Sequence, residues 1–151
     1  MFSRRHFLAM AGAAPLATLV APPAFAGNDY VFNTHGVAIN GYDPVAYFTE
    51  SKPVQGMMKY AVKWEGAMWV FSSMHNAEIF MGNPRAYAPK YGGYCAYAMS
   101  KGAVATTEPD AWTIHKDRLY LNYNTTVRSV WQEDMPGNIA LANGFWPSAL
   151  M

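Results

Sequence analysis

Two stretches of the chain alternate apolar and polar positions with the period of a half-buried strand. In Lys59-Tyr60-Ala61-Val62-Lys63-Trp64, one face carries Tyr60, Val62 and Trp64; in Ala67-Met68-Trp69-Val70-Phe71, one face carries Trp69 and Phe71. Glu65-Gly66 lies between them as a two-residue turn, so the pattern predicts a hairpin. Ala111-Trp112-Thr113-Ile114 and Leu119-Tyr120-Leu121 predict a second hairpin, turning at Lys116-Asp117.

Elsewhere helix signals replace the strand period. Asp43 caps a short helix that opens at Pro44 and runs through Phe48. Ser73 caps a helix over Met74–Met81 that turns Ala77, Phe80 and Met81 towards the core. Asn83 caps a further short helix begun by Pro84, and Gly92-Gly93 break the aromatic segment from Tyr91 to Met99. Asn124 caps a helix with Val127, Val130 and Trp131 at i, i+3 and i+4. Pro136 starts a last helix that ends near Gly144. Gly27 to Asn40 reads as a polar lead-in with one short strand at Gly36–Ile39. Strands followed by helices, without βαβ alternation, predict an α+β domain: a small antiparallel sheet built from hairpins, with packed short helices.

The first 26 residues follow another logic. Ser3-Arg4-Arg5-His6-Phe7-Leu8 holds a twin-arginine pair, Ala9 to Val20 is weakly hydrophobic, and Ala24-Phe25-Ala26 offers the small residues of a cleavage site. The apolar run is too short to cross ~30 Å of hydrocarbon, and Pro15, Pro22 and Pro23 interrupt it. The segment resembles a Tat export signal, which implies a periplasmic protein folded before transport. Cleavage after Ala26 leaves residues 27–151 as a single domain.

Of the eleven Lys and Arg, Arg4 and Arg5 leave with the signal, so nine remain against ten Asp and Glu. The charges are scattered, which excludes nucleic acid as a partner and gives no basic surface for an anionic membrane. Stable membrane insertion after cleavage is not expected, whereas a periplasmic protein partner is compatible with this surface. The single cysteine, Cys95, excludes an internal disulfide, C-x-x-C chemistry and Cys-rich zinc sites.

Cys95 is nevertheless the leading chemical candidate. A thiolate suits a soft metal ion, copper first, and Met99, His75 and Met74 are the residues that would complete such a site. Met74 and Met81, seven residues apart, equally fit a core stripe, which is the preferred reading. The absence of a His closely following Cys95 argues against a blue-copper centre. A Cys–His nucleophile would require His75 or His115 to fold within ~3 Å of Cys95. Asp43 reads as a turn and cap residue, and no phosphate-binding Gly loop or nucleophile elbow is present. Alternatively, Tyr42, Tyr47, Tyr87, Tyr91, Tyr94 and Tyr97, which flank the Gly-rich turn, form either a small-ligand pocket or part of the core.

Four segments carry a family resemblance: Asn40-Gly41-Tyr42-Asp43-Pro44-Val45-Ala46-Tyr47-Phe48, Trp69-Val70-Phe71-Ser72-Ser73, Phe80 through Pro89, and Tyr91-Gly92-Gly93-Tyr94-Cys95-Ala96. In this order, and with Trp112 through Asn122, they resemble an exported YHS-domain protein of the type called YHS domain-containing (seleno)protein. The resemblance implies a small α+β fold and, through the metal-handling modules that YHS domains accompany, heavy-metal binding. Metal-linked YHS domains carry additional Cys residues, which this chain lacks. Three functions follow as expectations: soft-metal binding through Cys95, thiol redox chemistry at Cys95, or a small-ligand or partner-binding module in which Cys95 is structural.

Overall fold

The computed structural model describes residues 27–151, so the expected signal segment 1–26 lies outside the described residues. The fold is α+β: among the described residues, six α-helices accompany a four-stranded mixed sheet and a two-stranded antiparallel hairpin.

Among the described residues, the first elements form a small hairpin, β1 (Asn33–Thr34) and β2 (Val37–Ala38). Its turn residues His35 and Gly36 have φ of 52° and 85°. Such a two-residue turn matches the twist of paired strands. A 3-10 turn at Ile39–Gly41 leads to α1 (Pro44–Thr49), and then to the predicted hairpin β3 (Met57–Trp64) and β4 (Ala67–Phe71). Glu65 and Gly66 turn it with φ of 50° and 78°, and Val62 sits opposite Trp69.

The sheet order is β1-β2-β4-β3, and β2 joins β4 in parallel at Val37–Met68. The sheet is therefore mixed where an all-antiparallel one was expected. The physical reason is the crossover: α1 and β3 intervene before the chain returns, so β2 and β4 run the same way. The lead-in also departs from its polar reading, because Val31 and Phe32 are buried in the main core.

One face of the sheet is covered by α2 (Met74–Gly82). Phe80 enters between Trp69 and Phe71, at ring-centroid distances of 5.4 Å and 5.0 Å, and Trp64 meets its edge at 5.7 Å. Such rings contribute both area and specific edge contacts. Ser73 caps α2 as predicted, accepting from the Asn76 N–H at 3.1 Å. Met81, expected inside, is exposed, as is Met74. Phe80 and Ala77 supply the buried stripe, and the two methionines lie off it.

After α3 (Pro84–Tyr87), where Asn83 makes no side-chain cap, the chain passes through a tight turn at Lys90–Gly93. α4 (Ala96–Ser100) follows, then β5 (Trp112–His115) and β6 (Arg118–Leu121), and finally α5 (Thr125–Gln132) and α6 (Met135–Phe145). Asn124 caps α5 as predicted, accepting from Val127 at 2.8 Å. A second apolar cluster joins Tyr91, Ala96, Met99, Tyr120, Trp131 and Ala142. No described helix is long and apolar enough to cross a membrane.

Candidate functional site

Asp43 is fully buried, and its carboxylate is consumed by structure. Oδ1 accepts from the N–H groups of Val45 and Ala46 at 2.9 Å and 3.2 Å, which caps α1. Oδ2 accepts from Ser72 N–H at 2.9 Å, Ser72 Oγ at 2.8 Å and Asn76 Nδ2 at 2.8 Å. The cap reading therefore holds, and a further role appears: one side chain ties α1 to the end of β4 and to α2. The sequence showed only the local half of this node, since the partners lie 29 and 33 residues away.

Cys95 is 1 % exposed. Its sulfur caps α4, accepting from Ala98 N–H at 3.4 Å, and accepts from Tyr123 N–H at 3.3 Å. Asn122 Oδ1 lies 3.5 Å from the sulfur and also accepts from Tyr97 N–H at 3.0 Å. The Asn122 Nδ2 is buried without a protein partner among the described residues. Cys95 thus knots the start of α4 to the strand end after β6, with its lone pairs directed at backbone donors.

The other residues expected to complete a metal site are placed differently. Met99 is wholly buried in the second cluster, whereas Met74 and His75 are exposed on the first turn of α2. His115 ends β5 at the hairpin turn. Among the described residues, no group of three or more His, Cys, Asp or Glu is placed to hold a metal ion.

An aromatic cleft of about 220 Å³ was not assembled by sequence reasoning. Its aromatic walls are Tyr30, Trp64, Trp69, Tyr91 and Trp146, and Arg85, Lys90 and Arg118 are its cations. These rings are mutually fixed. Tyr30 stands 5.1 Å from Trp146 between ring centroids, and Trp64 stands 5.8 Å from Trp69. Trp69 Nε1 donates to the Trp64 carbonyl at 3.0 Å, and Tyr91 Oη donates to Asn143 Oδ1 at 3.0 Å.

The cleft also contains a tight stretch of backbone. Tyr91, Gly92 and Gly93 run consecutively at φ of 60°, 63° and 86°. A Cβ at Gly92 would collide with the Tyr30 carbonyl oxygen and stand 3.0 Å from the Trp146 ring. Only glycine lets these segments approach so closely. Tyr91 is one of eight non-glycine residues among those described that adopt a positive φ.

Electrostatics follow from this packing. Burial, reinforced by the Arg118 charge, lowers the pKa of Lys90 below its ordinary value. Burial raises Tyr91 far above the usual phenol range, with Tyr120 adding to the effect. Tyr91 therefore stays neutral at physiological pH and acts here as a wall and hydrogen-bond donor.

Of the six tyrosines proposed as pocket walls, Tyr91 alone lines this cleft. Tyr47 and Tyr94 are buried and donate to the carbonyls of Pro109 and Asp29. Tyr87 packs on Phe48. No family model matches the chain, and neither the curated proteins nor the solved structures yield a match.

Proposed function

We propose that this chain is an exported YHS-type binding module that holds a small organic ligand in the aromatic cleft, with Cys95 serving as a structural thiol. The observation that carries the reading is the cleft itself, where rigid rings and a strained, glycine-dependent turn surround open space. The rings offer stacking faces and the three cations offer placed polar groups, two of the features that small-molecule sites combine. The position of Cys95 supports the second half of the reading. Its sulfur is buried and already engaged with two backbone N–H groups. The Tat-like segment and the ordered YHS-like segments are what favour export and this family.

Soft-metal binding would draw on a different set of atoms, so the two functions separate by experiment. A fragment library of mixed charge is screened by ligand-observed NMR against the protein and against Ala88→Trp. Ala88 lines the cleft, and an indole there fills it. Fragments are expected to bind the protein and to be lost in the variant, while circular dichroism reports an intact fold. Trp146→Ala, which strips one wall, serves as a second variant. An absence of fragments, or fragments that survive both changes, overturns the reading. A Cu(I) titration of the protein beside Cys95→Ser completes the test. Stoichiometric copper binding lost in that variant would install the metal function instead.

A further inference from the structure

The charge balance of the cleft narrows what it holds. Arg85, Lys90 and Arg118 line it, and among the described residues no carboxylate does. Glu65 lies 3.5 Å from the Arg85 guanidinium, but at the solvent surface, where such pairs contribute little. Lys90 and Arg118 form no salt bridge with any described residue. Both line the cleft, Lys90 half-buried and Arg118 exposed at its rim, and the Arg118 charge acts on Lys90. That arrangement disfavours the ionised pair until an anion meets it.

The cations also have defined geometry. Arg118 Nη1 donates to the Arg85 carbonyl at 2.9 Å, which fixes the guanidinium. Its remaining donors form a planar fork that suits both oxygens of a carboxylate. Arg85 lies 5.7 Å from the centroid of the Trp64 ring, so the charged rim runs directly into the aromatic wall. Ring faces alone would also attract a cation, but three positive side chains repel one. At about 220 Å³, the cleft is smaller than the ~300–1,000 Å³ typical of drug-sized sites, which restricts the ligand to roughly one ring system.

From this we infer that the cleft takes a small aromatic carboxylate, with the ring among Tyr30, Trp64 and Trp146 and the carboxylate at Arg118 and Lys90. The inference rests on the cleft being the ligand site. It specifies the chemical class that the binding-module reading leaves open.

The test titrates the protein with benzoate, phenylacetate and indole-3-carboxylate, each paired with its neutral primary amide, and with inorganic phosphate. Binding is read by calorimetry and by tryptophan fluorescence. The acids are expected to bind about tenfold or more tighter than their amides, the difference that charged hydrogen bonds make. Arg118→Gln is expected to weaken the acids about tenfold or more and their amides by less, so that the preference is lost; Lys90→Gln is expected to reduce it. Amides that bind as tightly as acids overturn the carboxylate inference and leave the cleft as a neutral-ligand site. Phosphate that binds as tightly as the acids also overturns it, because recognition would then ignore the ring. If no acid or amide binds, and the fragment screen finds nothing sensitive to Ala88→Trp, the binding-module reading falls as well.

Discussion

Replacing Asp43 by alanine removes five hydrogen bonds from one buried point. Two of them, from Val45 and Ala46, form the N-cap of α1. Loss of such a cap costs about 1 kcal/mol. The others hold Ser72 N–H, Ser72 Oγ and Asn76 Nδ2. The Ser72 hydroxyl can turn to a new partner, but its N–H and the Asn76 amide lose their charged acceptor. Each orphaned donor costs about 1–3 kcal/mol. Asn76 recovers part of this through Ser72 Oγ at 3.4 Å. The total is about 4 kcal/mol, a large share of the ~5–15 kcal/mol by which domains are stable. Urea unfolding with an unchanged slope is the assay. Asp43→Asn is expected to lose nearly as much, because its amide N–H₂ must face donors whichever way it turns. Asp43→Ser keeps the cap alone and is expected to recover about 1 kcal/mol. A loss below about 1 kcal/mol in Asp43→Ala would refute the node, because it would be no larger than that of a lone cap. The pair Asp43→Ala and Asn76→Ala is also expected to be non-additive by at least ~0.5 kcal/mol.

Three further outcomes are expected. Cys95 is expected to resist alkylation in the folded protein and to react only along the urea transition, because the sulfur is 1 % exposed; stoichiometric labelling under native conditions would contradict the structural role. Limited peroxide is expected to oxidise Met74 and Met81, at 54 % and 53 % exposure, well before Met99 at 0 %, with peptide mass spectrometry reading the order. Stability is expected to fall as pH rises above 10.0, because burial raises the folded pKa of Tyr47, Tyr91, Tyr94 and Tyr120, while the unfolded chain releases those protons near 10.0. Lys90 acts in the opposite sense: its folded pKa is lowered, so its contribution rises with pH up to about 10.5, one group against four. Tyrosinate absorbance amounting to all ten tyrosines before unfolding would contradict the burial of these four phenols.

The elements were legible where the signal is local. Alternation marked β3, β4, β5 and β6, and Ser73 and Asn124 announced their helices because a cap needs only a donor three residues on. Burial was legible only in part. Spacing placed Met74 and Met81 on one stripe, but spacing cannot say which stripe of a helix meets the sheet, and Phe80 with Ala77 takes that face. The parallel β2–β4 pairing was hidden for a related reason, since a single bridge at Val37–Met68 leaves no periodic trace.

The cleft was illegible because no stretch of chain contains it. Tyr30 comes from the lead-in that reads as polar, Trp64 and Trp69 from the β3–β4 hairpin, Lys90 to Gly92 from the strained turn, Arg118 from β6 and Trp146 from the end of α6. In sequence, each has an ordinary explanation as a strand residue, a turn residue or a solvated charge. The best local signal was Gly92-Gly93. It reads as a tight turn that lets backbone approach a ligand beside Cys95, and in the fold Gly92 approaches Tyr30 on one side and Trp146 on the other. This shifts the chemical emphasis away from the thiol. Cys95 spends its sulfur on fixing α4 to the segment after β6, the same strand that begins with Arg118. A change at Cys95 that loosens this strand is therefore expected to weaken ligand binding through Arg118, without any ligand touching sulfur.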